Sequence, residues 1–274
     1  MTNILVLKKK LNRISSYKEN KHKIKHFYRN LNHFSLNPSP LQHFVLIARG
    51  RSGSTCLLDI LDCHPQILTD PHTFFDYSKL PLYFPDNKLV FSSKNIRGYK
   101  FNTQARGMLE NAANAETARR ELQTLIDSGV KVIYLERNNV VKRAISSLVA
   151  KSRKQFNFRK DKQAQVVPLT SLHIDPEALI EHIKYCEAQN LFDRSVIANL
   201  PHICLTYEED LAQETCHQEA LDKICQFLKI DSAPAITRFS KVLPNSINEY
   251  ISNYQELRET VANSQYAEHL AGLT

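Results

Sequence analysis

Phe44-Val45-Leu46-Ile47-Ala48-Arg49-Gly50-Arg51-Ser52-Gly53-Ser54-Thr55 decides the fold. Its first five residues are an unbroken apolar run of strand length, the pattern of a strand buried on both faces of a parallel sheet. A short loop with two glycines follows, and then Leu57, Leu58, Ile60 and Leu61 recur with a helical period until His64-Pro65 ends it. The unit is strand, loop, helix, with Ser54 or Thr55 placed to cap the helix. Such a loop gathers backbone N–H groups and the positive end of a helix dipole around one point, which suits phosphate or sulfate oxygens. Arg51 adds a fixed cation there. Gly53 is followed by Ser54 and not by lysine, so the loop is not a Walker A motif.

A second strand-to-helix transition runs from Val132-Ile133-Tyr134-Leu135 through Glu136-Arg137 into a helix over Asn139 to Arg153. Arg137 falls at the strand's carboxyl end and Ser146 on the helix, so both can converge on one anion. In an open α/β sheet, ligands bind beyond those carboxyl ends. Elsewhere the pattern predicts a strand over Ile96 to Phe101, a helix over Ala115 to Ser128 stopped by Gly129, and a helix from Asp175-Pro176 to about Ala198. A strand at Ile203 to Leu205 and helices over Glu219 to Leu228 and Ile247 to Ala262 complete the chain. The alternation specifies an α/β fold: a P-loop-like open, mostly parallel sheet with helices on both faces.

The chain has 274 residues and a formal net charge of +8, whose location matters more than its size. Nine of the basic residues and a single acidic one, Glu19, lie before residue 35. The remainder is balanced, with 27 basic and 27 acidic residues, so no general basic field points to nucleic acid as a partner. Within the tail, Leu7, Leu11 and Ile14, and then Ile24, Phe27, Tyr28 and Leu31, recur at helical spacing. Residues 1–38 thus read as a basic, amphipathic, helical N-terminal extension, able to dock on the domain, to meet anionic lipid peripherally, or simply to solvate the end. The break at Asn37-Pro38-Ser39-Pro40 sets the start of one domain over 39–274. No apolar run is long enough to span a membrane, and the six cysteines show neither zinc-ligand spacing nor a disulfide framework. A cytoplasmic protein with free thiols and no metal is expected.

Taken together, the two anion-binding elements resemble the donor-binding signatures of the sulfotransferases that use 3′-phosphoadenosine 5′-phosphosulfate, in particular the bacterial branch acting on carbohydrates and glycolipids. Cys63-His64-Pro65-Gln66-Ile67, Gly98-Tyr99-Lys100, Tyr207-Glu208-Glu209-Asp210-Leu211 and Ile251 to Leu257 are similar to further stretches of that family. The resemblance implies a 5′-phosphosulfate site at Arg49, Gly50, Arg51, Ser52, Gly53, Ser54 and Thr55, and a 3′-phosphate clamp at Arg137 and Ser146. It also implies a return of the C-terminal segment, through Lys241 or Arg238, to the 3′-phosphate. Arg51 is the candidate cation on the bridging oxygen of the leaving nucleotide, since a permanently charged, forked donor suits a developing phosphate.

Counted from His64-Pro65, His72 stands where relatives place a glutamate taken as general base, and a neutral imidazole can serve the same purpose. His72 can equally be a turn residue beside Asp70-Pro71, with Asp70 or Asp76 as base. Tyr207 reads as a strand-end packing residue and Lys100 as a surface lysine. Implied partners are a small-molecule or glycolipid hydroxyl acceptor. A small-molecule kinase on a related fold, or a noncatalytic nucleotide- or lipid-binding module, are the competing readings.

Overall fold

The computed structural model describes residues 42–76, 96–102, 112–153, 171–239 and 246–270. Five strands, β1 (Gln42–Ala48), β2 (Ile67–Asp76), β3 (Ile96–Asn102), β4 (Lys131–Glu136) and β5 (Ile203–Thr206), form one sheet in the order β2-β3-β1-β4-β5. Every pairing is parallel. The helices are α1 (Ser54–Cys63), α2 (Ala112–Asp127), α3 (Val140–Arg153), α4 (Pro176–Ile197), α5 (His217–Leu228) and α6 (Tyr254–Ala262).

β1 lies at the centre because it is apolar on both faces. Phe44, Leu46 and Ala48 pack with Ile133 and Leu135 of β4 against Leu57, Ile60 and Leu61 of α1 and Leu221 and Ile224 of α5. Val45, Ile47, Val132 and Tyr134 alternate to the other face and are equally buried. A second core joins α3, α4 and α6 through Val141, Ala144, Ile145, Leu179, Ile183 and Leu257. After β1 the chain crosses to β2 and β3 on one side, then returns to β4 on the other. The carboxyl ends of β1 and β4 therefore flank a topological switch point, the place where an open α/β sheet offers a crevice.

Most elements match the sequence pattern. Asp175 caps α4 by accepting from Glu177 N at 3.0 Å, with Pro176 in its first turn. Gly129, at φ 90°, ends α2, and Val130 N donates back to Leu125 O at 3.0 Å.

Two expectations need correction, and one strand was not expected at all. Strand β2 was not legible, because Pro71 and the polar Thr69, Asp70 and His72 interrupt its pattern, and its pairing with β3 slips register between Asp70 and Phe74. The expected helix over Ile247 to Ala262 is broken into a 3₁₀ turn, Ile247–Glu249, and α6. Residues between them pair with the segment before α4: Ser252 N donates to Leu172 O at 2.9 Å, and the Asn253 side chain bonds both ways to Ile174. A continuous helix would consume those same backbone groups. Finally, α1 is capped by Gly53, not by Ser54 or Thr55, which lie in its first turn.

The basic extension, the stretch 154–170 and Lys241 lie outside the described residues. All six cysteines are free thiols. Among the described residues no helix is long and apolar enough to cross a membrane.

Candidate anion site at the ends of β1 and β4

The loop after β1 is built around two left-handed residues. Arg51 has φ 66° and Gly53 φ 89°. At Gly53 an added Cβ would stand 2.8 Å from Cδ2 of Tyr207 and 3.1 Å from Cδ1 of Leu211, so both backbone and packing require glycine. Ser52, buried, donates its hydroxyl to Arg49 O at 2.7 Å and closes the turn. Gly53 brings no side-chain acceptor to the N-terminus of α1, whose first-turn amides and dipole therefore face the loop. Gly50 is exposed, with open space where a Cβ would lie.

Arg137, the first residue past β4, reaches this loop. Its Nη1 donates to Arg51 O at 3.1 Å, and its guanidinium carbon sits 4.4 Å from the ring centroid of Tyr207. From α3, Ser146 Oγ accepts Arg51 Nε at 3.0 Å. Arg137 and Ser146, both of the second strand-to-helix element, thus meet the first element at Arg51, one at its carbonyl and the other at its side chain. Arg137 Nε is buried and has no hydrogen-bond partner among the described residues, an arrangement that ordinarily costs about 1–3 kcal/mol.

Burial lowers the pKa of both guanidinium groups. At Arg51 the neighbouring charge of Arg137 lowers it further, with Tyr207 opposing. At Arg137 the opposing influences are Tyr207 and Glu208. Glu208 is otherwise engaged: its carboxylate accepts Asn138 N at 3.0 Å and Asn139 N at 2.9 Å, covering the start of α3. Two neighbouring, partly desolvated cations favour the binding of anionic groups beside them.

Arg49 belongs to the support of the loop: Nε and Nη2 form a fork on Asp193 of α4 at 2.6 and 2.7 Å. Sequence reasoning missed Arg143, whose buried guanidinium donates Nε to Gly50 O at 3.2 Å. A signal existed, since Arg143 sits among Val140, Val141, Ala144 and Ile145 on the buried stripe of α3, where an arginine must have partners. Tyr207, expected only to pack, also supports Arg137 and closes over Gly53.

Other singled-out residues have local roles. His64 is buried; its Nδ1 accepts Gln66 N at 3.1 Å, so Nε2 carries the proton and donates to Asp231 O at 3.0 Å. Arg238, expected near a 3′-phosphate, instead binds Asp59 with its guanidinium and backbone N–H, and Asp62 at 3.1 Å, which ties the C-terminal segment to α1. His72 lies in the register slip of β2, between Asp70, paired with Tyr99, and Phe74, paired with Lys100. Through β3 this is the level of Val45 and Leu46 in β1, toward the carboxyl end of the sheet.

No family model matches the chain, and no curated protein matches it. Among solved structures, this chain has a distant likeness to the crystal structure of a sulfotransferase from Alicyclobacillus acidocaldarius, with a TM-score of 0.43 and 17% identity, over 86% of this chain and 95% of that one.

Proposed function

We propose that this chain moves a sulfuryl group from 3′-phosphoadenosine 5′-phosphosulfate to a hydroxyl of a carbohydrate, glycolipid or other small acceptor. One observation carries the reading: Arg51 and Arg137, two partly desolvated guanidinium groups, adjoin at the ends of β1 and β4, and Arg137 Nε has no partner among the described residues. A ligand with acidic groups at two separate positions suits such a pair.

The backbone of Gly50, Ser52 and Gly53, with Ser54 and Thr55 in the first turn of α1, binds the 5′ end, and Arg49 steadies that loop through Asp193. Arg137 and Ser146 bind the 3′-phosphate, joined by Lys241 from the C-terminal segment. Ser146 accepts from Arg51 but keeps its own O–H to donate.

In the transfer, the acceptor oxygen forms a bond to sulfur while the bond from sulfur to the bridging oxygen breaks, and that electron pair remains on the departing 5′-phosphate. Arg51 stabilises the charge that develops there. His72 takes the proton of the acceptor hydroxyl. It is two strands from β1, roughly 10 Å at the usual strand spacing, which leaves room for an acceptor between base and donor loop.

Incubation of the purified protein with donor carrying labelled sulfate and a cell extract tests the reading. Label appearing in a hydroxyl-bearing product supports it; bound donor with no label transferred to any acceptor contradicts it.

A further inference from the structure

One turn of α4 touches both halves of the anion site. Gln189, Asn190 and Asp193 are all buried, at 8%, 6% and 1% exposure, although they are polar residues in a helix whose other buried positions are largely apolar. Each has a partner in a donor-facing element. Asp193 holds the fork of Arg49 in the loop after β1. Gln189 accepts Arg143 Nη2, and the same guanidinium fixes Gly50 O through Nε. Asn190 faces both ways: its Oδ1 accepts Arg143 Nη1 at 2.6 Å, and its Nδ2 donates to Arg137 O at 3.0 Å.

We infer that Asn190 is a positioning residue that sets Arg137 against the loop 49–51, and so controls preference for a ligand bearing a 3′-phosphate over one with a 5′-phosphate alone. The inference rests on the proposed function for the identity of that ligand. Arg137 meets the loop through its Nη1 on Arg51 O. Its backbone is carried by β4 and its position beyond the strand is fixed by Asn190, whose other end is fixed by Arg143 and hence by Gly50. Asparagine suits this place because it offers one acceptor and two donors on a single rigid amide. Aspartate keeps the acceptor for Arg143 but opposes a second acceptor to Arg137 O. Leucine removes both bonds without adding charge.

The test measures dissociation constants of the full chain for adenosine 3′,5′-bisphosphate and for adenosine 5′-monophosphate, in the wild type and in Asn190→Asp and Asn190→Leu. Thermal melts select variants that remain folded, and Asn190→Asp keeps the partner of the buried Arg143. The expected result is a roughly tenfold loss of preference for the bisphosphate in both variants, equivalent to about 1.4 kcal/mol, with affinity for the monophosphate within about twofold of wild type in Asn190→Asp, which keeps Arg143 on Gly50. Combined with Arg137→Ala, Asn190→Asp adds little further loss, because both act through one group. Equal weakening of both ligands, an unchanged preference in a folded variant, or additive losses overturns the inference and leaves the proposed function standing. A wild-type protein without preference for the bisphosphate overturns both.

Discussion

Arg51 Nε and Ser146 Oγ are 3.0 Å apart, a hydrogen bond between residues 95 positions apart in the chain. It fixes a guanidinium that a left-handed backbone, φ 66°, already projects from the loop, and it does so beside Arg137. Neither the strain of that backbone nor the proximity of two like charges favours folding, and both are features that functional sites retain. The proposed transfer accordingly centres on Arg51.

Replacing Arg51 tests that placement. Arg51→Ala is expected to lower kcat for sulfate transfer by about 10²–10³, the usual scale for losing one preorganised charge-stabilising donor. Arg51→Lys keeps the charge but not the Nε bond to Ser146, and should recover only part of the loss. Steady-state transfer rates, with thermal melts as a control for folding, check this. Activity near wild type in Arg51→Ala would remove the residue from the mechanism.

Gly53→Ala asks a left-handed residue to carry a Cβ that would lie 2.8 Å from Tyr207. Urea unfolding should show a loss of about 1–3 kcal/mol. Adding Tyr207→Leu relieves the contact with the ring but not the backbone conformation, so stability should return only in part. It should also weaken support for Arg137, whose guanidinium lies over that ring.

His72→Ala is expected to lower turnover by roughly 10²–10⁴ while leaving the affinity for donor unchanged. Rates and calorimetric donor binding measured on one preparation separate these two effects. Unchanged turnover would move the base to Asp70 or Asp76, which share strand β2 with His72.

The buried thiol of Cys225 gives a pH signature of stability. Burial raises its pKa from 9.0 to about 11, with the charge of Asp222 adding to the effect. The unfolded chain therefore loses this proton first as pH rises. The stability the thiol lends is complete below about pH 9, falls between 9 and 11, and is spent above that. Urea unfolding under reducing conditions should show a decline over this window, its slope from this group at most about 1.4 kcal/mol per pH unit. Cys225→Ala should make it shallower. An identical decline in the variant would assign the effect to the other groups whose pKa burial raises, Cys204, Tyr134, Tyr250 and Tyr266.

Sequence made the two candidate anion-binding elements legible because each rests on a continuous apolar strand followed by charged residues, a pattern fixed by burial. Arg137 and Ser146 were expected to converge on one anion; the parallel pairing of β1 with β4 brings both of them to Arg51. What stayed hidden depends on pairs distant in sequence. Asn190 and Asp193 look like ordinary polar positions of a long helix until Arg143 and Arg49 meet them. Strand β2 was hidden because a register slip and a proline break its period. The expected helix after Ile247 failed because Ser252 and Asn253 have partners in the segment before α4, which no local pattern reveals.

The most direct test of the central claim is calorimetric titration of the full chain with adenosine 3′,5′-bisphosphate in excess EDTA, compared with ATP and magnesium. A sulfotransferase site should give saturable one-to-one binding of the bisphosphate that needs no divalent ion, weakened at least tenfold by Arg137→Ala, roughly 1.4 kcal/mol or more. Binding of ATP that requires magnesium, together with no heat from the bisphosphate, would contradict it.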